Sequence, residues 1–147
     1  MVIICAALAM AAPSLRGFFG SRRTADAAAQ IVALARFART QAAAEGRAYR
    51  LNLDRVERTY WLTREEGGAF VNLASEFGRT FALPEGTTAQ WELQPGDPPR
   101  DYLEFLPDGR TEAATLRLTG RRGEVFDVVC RSPVERFHVA AIAEESD

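Results

Sequence analysis

The chain contains no lysine, so arginine supplies all 18 of its basic residues. Twenty acidic residues balance them and leave a formal net charge of -2 over 147 residues. Non-specific nucleic-acid binding relies on a strong positive field, which a near-neutral chain lacks. The composition therefore does not favour a nucleic-acid partner.

Cysteine and histidine are also scarce. Cys5 lies in an apolar run and Cys130 near the end of a strand-like segment, so their distance in sequence excludes a disulfide framework. His138 is the single histidine, and the chain has no CxxC or HExxH pattern from which a zinc site is built. The sequence predicts neither a metal site nor a cofactor site.

A complete membrane-spanning run is missing too. The first thirteen residues are uncharged, but a helix needs about 20 apolar residues to span a bilayer. A secretory signal fits poorly, because no basic residue precedes the small-residue cut sites at 7–9 and 9–11, and a lipoprotein signal at Cys5 fails for the same reason. A third interpretation explains more: the apolar run is the distal part of a longer apolar helix whose start is expected upstream of Met1.

The helical pattern continues from this run to about Gly46. Segment 25–44 is dense in strong helix formers, and Gly46 is a plausible helix stop. Pro13 either kinks the helix or marks its first turn. An apolar stripe consists of Ala27, Ile31, Leu34 and Ala38 with Phe37 at its flank, while Arg22, Asp26, Arg36 and Arg39 fall largely elsewhere around the axis. The stripe needs a partner that buries it.

From Arg47 the period becomes alternating, which is typical of strands. Nine strands are predicted, the first around Tyr49, Leu51 and Leu53 and the others at Val56–Arg64, Ala69–Leu73, Arg79–Leu83, Thr87–Leu93, Asp101–Leu106, Ala114–Thr119, Glu124–Cys130 and Arg136–Ile142. The Pro-rich loop 95–99 is expected to separate two sheets or two halves of one. The fold class is therefore α+β: a long amino-terminal helix (1–46, apolar to about 20 and amphipathic over 21–46) packed on an antiparallel sandwich-like head (47–147).

No residue stands out as catalytic. His138 alternates with its neighbours in a terminal strand, and Glu65-Glu66 precedes Gly67-Gly68 at a hairpin tip, so both favour structural or solvent-facing roles. Arg22-Arg23 suits an interfacial anchor or a subunit contact, whereas Arg121-Arg122 indicates a plain turn, because Gly-Arg-Arg-Gly lacks the lysine and the helix of a phosphate loop. The larger aromatic residues are expected in the core or on sheet faces: Trp61, Trp91, Phe70, Phe77, Phe81 and Phe126.

Several short motifs, taken in order, resemble the GspH/FimT family of type IV pilin-like proteins. They are Ala-Ala-Pro-Ser-Leu at 11–15, Ser21-Arg22-Arg23, Arg36-Phe37-Ala38-Arg39, Ala43-Ala44-Glu45-Gly46-Arg47, Tyr60-Trp61-Leu62 and Phe105-Leu106-Pro107-Asp108-Gly109-Arg110. The resemblance spans nearly the whole chain. It implies a minor pseudopilin of type II secretion or a related minor pilin.

The family's prepilin leader, with its Gly-Phe-Thr-Leu-like cleavage site and early glutamate, does not occur in this sequence. Amino-terminal truncation is the expected reason, so leader processing is assigned to no residue here. The resemblance implies a bacterial inner-membrane protein with one span, a periplasmic head, and other major and minor pseudopilins, the assembly platform and secreted cargo as partners.

The leading hypothesis is thus a structural, non-enzymatic pseudopilin. A type IV minor pilin that binds DNA is the alternative, and it requires exposed arginines that cluster on one face of the head. A secreted β-barrel enzyme or ligand carrier is a further alternative, and it requires a cavity with convergent polar groups.

Overall fold

The computed structural model describes the backbone of residues 2–92, 100–133 and 135–141, and the side chains of 22–92, 100–133 and 135–140. One helix, α1, runs over Val2–Glu45. Pro13 lies inside it, so the alternative that this proline marks the helix start is wrong. Gly46 ends the helix as predicted: its φ is 64°, and the amide nitrogens of Gly46 and Arg47 lie 2.9 and 3.2 Å from the Ala42 carbonyl oxygen.

Nine strands follow in the described residues. Their bounds are β1 Tyr49–Asp54, β2 Thr59–Glu66, β3 Ala69–Asn72, β4 Phe81–Ala82, β5 Thr88–Glu92, β6 Tyr102–Phe105, β7 Ala114–Thr119, β8 Val125–Cys130 and β9 His138–Ala141. A short 3-10 helix at Glu76–Gly78 lies between β3 and β4. The number and order of strands agree with the sequence prediction, and the α+β fold class is confirmed: one amino-terminal helix is packed on antiparallel sheets.

The strands form two antiparallel sheets. The first has the order β3-β2-β1-β6, with β4 also paired to β2, and the second has the order β5-β7-β8-β9. Because β5 joins the later strands and β6 the earlier ones, the chain crosses between the sheets in the connection that contains 95–99. That loop lies outside the described residues. Its flanking strands belong to different sheets, but the loop does not divide the strands into an earlier and a later sheet as expected, because β5 and β6 are exchanged.

The core lies where α1 meets both sheets. All four stripe residues are buried, Ile31 and Ala38 completely. On the facing side the inward positions of β1 are Tyr49, Leu51 and Leu53, because successive side chains of a strand alternate between its two faces. The helix contacts β1 of the first sheet and β8 of the second. The predicted stripe therefore has its predicted partner.

Several strand boundaries differ from the prediction, and local hydrogen bonds explain the one at the start of β2. The Asp54 carboxylate accepts bonds from the amides of Val56 and Glu57, both at 3.0 Å, and Arg58 has a φ of 56°. This wider turn delays β2 to Thr59, against the predicted Val56. Strand β4 keeps only two residues, and β9 begins at His138 instead of Arg136.

Phe77 is 41% exposed, so its assignment to the core or a sheet face is wrong.

Candidate interaction surfaces of the helix and the head

Arg39 holds the carboxyl-terminal part of the head against α1. Its Nε donates to the Gly109 carbonyl at 2.9 Å, and its Nη2 donates to the Pro133 carbonyl at 2.7 Å. Its Nη1 donates to the Glu135 carbonyl. One guanidinium thus satisfies three backbone acceptors from two segments that are far apart in sequence. We call this arrangement, together with Arg36, the arginine clamp.

Arg36 extends the clamp by one helical turn. Its Nε and Nη2 donate to the Phe137 carbonyl at 3.2 and 3.0 Å. The Arg39 guanidinium also lies 5.8 Å from the centre of the Phe137 ring, within cation–π range. The two residues lie off the apolar stripe, as predicted, yet they bond to the head. Sequence reasoning missed this role, because backbone carbonyls 70 to 101 residues away have no signature in the sequence.

The Pro107–Arg110 turn fits closely against the clamp. The Gly109 amide donates to the Leu106 carbonyl at 2.8 Å, and Gly109 has a φ of 85°. A Cβ at this position would lie 3.2 Å from the Ala43 Cβ on the helix, which is tighter than an ordinary contact. Glycine is therefore required here for two reasons, its backbone conformation and its closeness to α1.

The free thiol of Cys130 lies beside the clamp, buried at the end of β8. Its Sγ donates to the Ser132 carbonyl at 3.0 Å. Burial raises the pKa of this thiol, although the nearby Arg39 partly opposes the shift. A neutral, bonded thiol packs like a small apolar side chain, so Cys130 contributes to packing.

The opposite end of the described interface is held by hydroxyl groups. The Oγ1 atoms of Thr24 and Thr87 lie 3.2 Å apart, and the Thr24 hydroxyl donates to the Glu124 carboxylate at 3.3 Å. Glu124 also accepts a bond from the Arg122 amide at 3.0 Å. Thr24 is almost completely buried. These bonds place the turn between β7 and β8 directly against α1.

The outer face of the first sheet carries an arginine between two aromatic rings. The Arg50 guanidinium carbon lies 3.7 Å from the centre of the Phe70 ring and 4.1 Å from that of Tyr102. Arg50 Nε is also 3.0 Å from a Glu104 carboxylate oxygen. The side chain thus bridges β1, β3 and β6 with its charge neutralised, which makes it a structural element of this face.

The titratable candidates His138 and Glu66 make local contacts at partly exposed positions. His138 is half-buried in β9, and its Nδ1 lies 3.3 Å from the Arg136 carbonyl oxygen. Glu66 forms ion pairs with Arg64 and with Arg47, the latter at 3.7 Å, beside the Gly67-Gly68 turn. Within the described part of the chain, no group of three or more potential metal-ligating side chains is present.

The exposed side of α1 borders a groove. The Phe37 and Phe77 rings stack at 4.2 Å between centres, and a groove of about 270 Å³ beside them is lined by Ala33, Phe77 and Arg79, among others. Ala33 and Phe77 are both exposed. The head therefore covers this side of the helix at Phe37 and leaves Ala33 exposed.

Comparison with known proteins decides the family. The family model for the type II transport protein GspH matches residues 27–132, which is more than half of the chain. The chain belongs to the GspH family. Members of this family are pseudopilins, structural subunits of the secretion machinery, so the chain is not an enzyme, and the alternative of a secreted enzyme is wrong.

Solved structures agree at the level of the fold. The minor pseudopilin EpsH of the type 2 secretion system of Vibrio cholerae matches with a TM-score of 0.68 at 12% identity, over 86% of this chain and 99% of that one. The solution structure of Escherichia coli GspH matches at 0.63 and 15% identity, over 86% and 94%. The Pseudomonas aeruginosa type IV minor pilin FimU matches at 0.54 and 16%, over 88% and 95%. No curated protein matches the chain significantly.

The family gives the chain a pilin-like, minor pseudopilin role. Among the residues that the structure describes, no helix is both long enough and apolar enough to cross a membrane.

Proposed function

We propose that the chain is a minor pseudopilin of a type II secretion pseudopilus, which assembles by packing its helix against the helices of other pseudopilins. In this proposal the predicted segment 1–46 is the assembly element, with its apolar part of about 1–20 in the inner membrane. The head, 47–147, lies in the periplasm and contacts other minor subunits or secreted cargo.

The observation that carries the proposal is the one-sided burial of α1. Ala28, Ile31, Ala35 and Ala38 are fully buried against the head. On the opposite side Ala29, Ala33 and Ala44 are exposed, together with Arg23, Asp26, Gln30 and Thr40. Small side chains allow another helix to approach closely. The exposed side therefore suits contacts with neighbouring helices.

The charge distribution of the head supports assembly over DNA binding. Seven arginines form ion pairs with carboxylates: Arg47, Arg50, Arg55, Arg64, Arg100, Arg110 and Arg117. Paired arginines contribute little to the positive field that phosphate binding uses. A DNA-binding minor pilin is therefore the less favoured proposal.

Co-purification tests this function. The tagged chain, produced from its own chromosomal locus, is solubilised from membranes, and its partners are identified by mass spectrometry. We expect other pseudopilins of the same secretion system. The Ala29→Phe/Ala33→Phe variant should lose most of them because the bulky rings block close helix approach. Gln90→Phe, an exposed change on β5 away from the helix, is the matched control and should retain them.

Two results would contradict the proposal. Recovery of pilus subunits in place of pseudopilins would favour the type IV pilin alternative. Equal recovery of pseudopilins with both variants would show that the assembly contacts lie outside this side of the helix. Circular dichroism of each variant checks that the fold is retained.

A further inference from the structure

Two arginine pairs that are far apart in sequence come together where α1 enters the head. Arg22 and Arg23 directly precede Thr24 on the helix. Thr24 contacts Glu124, and a Cβ at Gly120 would lie 2.8 Å from the Thr24 Oγ1. The turn from Gly120 to Gly123, closed by an amide-to-carbonyl bond of 3.0 Å, carries Arg121 and Arg122 at its tip. We call these four arginines the basic collar.

The collar is free of internal charge partners. All four side chains are exposed, and among the described residues none of them takes part in an ion pair. This distinguishes them from the seven paired arginines of the head. Exposed guanidinium groups without partners remain available for bidentate bonds to phosphate oxygens.

Three carboxylates lie near the collar. Glu124 is engaged by Thr24 and by the Arg122 amide. Asp26 is exposed one turn farther along the helix, toward the body of the head. Glu85 is exposed in the turn beside Arg121, since a Cβ at Gly86 would lie 2.8 Å from the Arg121 Cβ. Glu85 beside Arg121, and Asp26 four residues after Arg22, are thus the acids expected to weaken the collar.

The collar lies next to the uncharged end of the helix. From Thr24 the helix extends to Val2, a length of about 33 Å at 1.5 Å per residue. Residues 1–15 contain no charged side chain. Charge therefore begins on the helix as it nears the head, and the β7–β8 turn adds two further cations at the same level.

We propose that the basic collar binds the anionic phospholipid surface of the bilayer in which the helix is anchored, and so fixes the head against the membrane before assembly. This inference rests on the proposed function, because it assumes the membrane anchorage of the helix. The favoured partner is a lipid surface and not a nucleic acid, because the collar continues an apolar helix and does not extend over the face of the head.

Vesicle flotation tests the proposal. The full chain is mixed with vesicles of phosphatidylcholine alone or of equal parts phosphatidylcholine and phosphatidylglycerol. Arginines near an anionic surface contribute roughly fivefold each to partitioning. We expect tighter binding to the anionic vesicles, a loss of about 25-fold for Arg121→Gln/Arg122→Gln, and a gain of roughly fivefold for Glu85→Gln. High salt should remove the preference.

A matched control and a nucleic-acid arm make the test decisive. Arg131→Gln/Arg136→Gln removes the same charge from exposed positions near the clamp and should keep the anionic preference. If both double variants lose binding to anionic vesicles to the same extent, the collar is not a local binding site and the proposal is overturned. The protein could instead bind duplex DNA in a salt-sensitive way that depends on Arg121 and Arg122, and show no preference for anionic vesicles. This result would overturn the lipid proposal in favour of a nucleic-acid site.

The two proposals fail in distinguishable ways. Binding to neutral and anionic vesicles with equal strength would overturn the collar and leave helix anchorage intact. Binding to neither vesicle would contradict the membrane anchorage on which the collar depends. Absence of co-purifying pseudopilins would count against the proposed function and would not change the result of the vesicle test.

Discussion

Arginine has opposite uses at the two ends of the interface between α1 and the head. At the Arg39 end, the guanidinium groups donate to backbone carbonyls of Gly109, Pro133 and Glu135. At the Thr24 end, hydroxyl groups make the contact, and four exposed arginines surround it without ion pairs. The comparison shows that the neighbouring acceptors, and not the residue type, separate a structural arginine from one available to a partner.

The largest effect on stability is expected from removal of the Arg39 side chain. Arg39→Ala deletes three charge-assisted hydrogen bonds and leaves their carbonyls without this donor, so we expect the free energy of unfolding to fall by about 2 to 4 kcal/mol. Urea denaturation followed by circular dichroism measures the change. Arg110→Ala is the control: its ion pair with Asp108 is largely exposed, so the expected loss is under about 0.5 kcal/mol. Similar losses for the two variants would show that the clamp is not structural.

Substitution of Gly109 is expected to have an intermediate effect on the free energy of unfolding. Gly109→Ala combines an unfavourable positive φ with the tight contact to Ala43, whereas Gly68→Ala has nearly the same φ and open space around its Cβ. We expect Gly68→Ala to cost about 1 kcal/mol and Gly109→Ala about 1 kcal/mol more. Ala43→Gly alone should cost up to about 1 kcal/mol, because glycine is unfavourable in a helix. Relative to that single variant, Gly109→Ala should lose its additional cost, and this rescue is measured by thermal unfolding. If Ala43→Gly does not rescue Gly109→Ala, the strain does not come from the contact with the helix.

The smallest effect is expected at the basic collar. Arg121→Gln/Arg122→Gln changes exposed side chains without ion pairs, so the free energy of unfolding should stay within about 0.5 kcal/mol of the original chain. Urea denaturation measures this as well. A loss as large as that of Arg39→Ala would mean that these arginines are structural and would remove the contrast between the two ends.

Local patterns in the sequence predicted much of this fold. The stripe through Ile31 and Leu34 predicted the buried side of α1, because apolar residues at helical spacing share one face. Alternation at Tyr49, Leu51 and Leu53 predicted β1 in the same way. Gly46 predicted the end of the helix. Each of these signals depends only on nearby residues.

Features that depend on distant residues were not predictable. The bonds of Arg36 and Arg39 reach carbonyls 70 to 101 positions away, and any residue type can supply a backbone carbonyl. The exchange of β5 and β6 between sheets, and the meeting of Arg22-Arg23 with Arg121-Arg122, depend on topology. Phe77 looked like a core residue because aromatic character alone does not reveal that its ring stacks on Phe37 at the surface.

Photo-crosslinking from Ala33 shows whether the exposed side of α1 is the assembly surface. A photoreactive amino acid at this exposed helix position, in cells that assemble the secretion system, should form adducts with other pseudopilins, while the same group at Gln90 on β5 should form far fewer. Adducts from Gln90 but none from Ala33 would contradict the account, because the uncovered side of the helix would then not be the assembly surface.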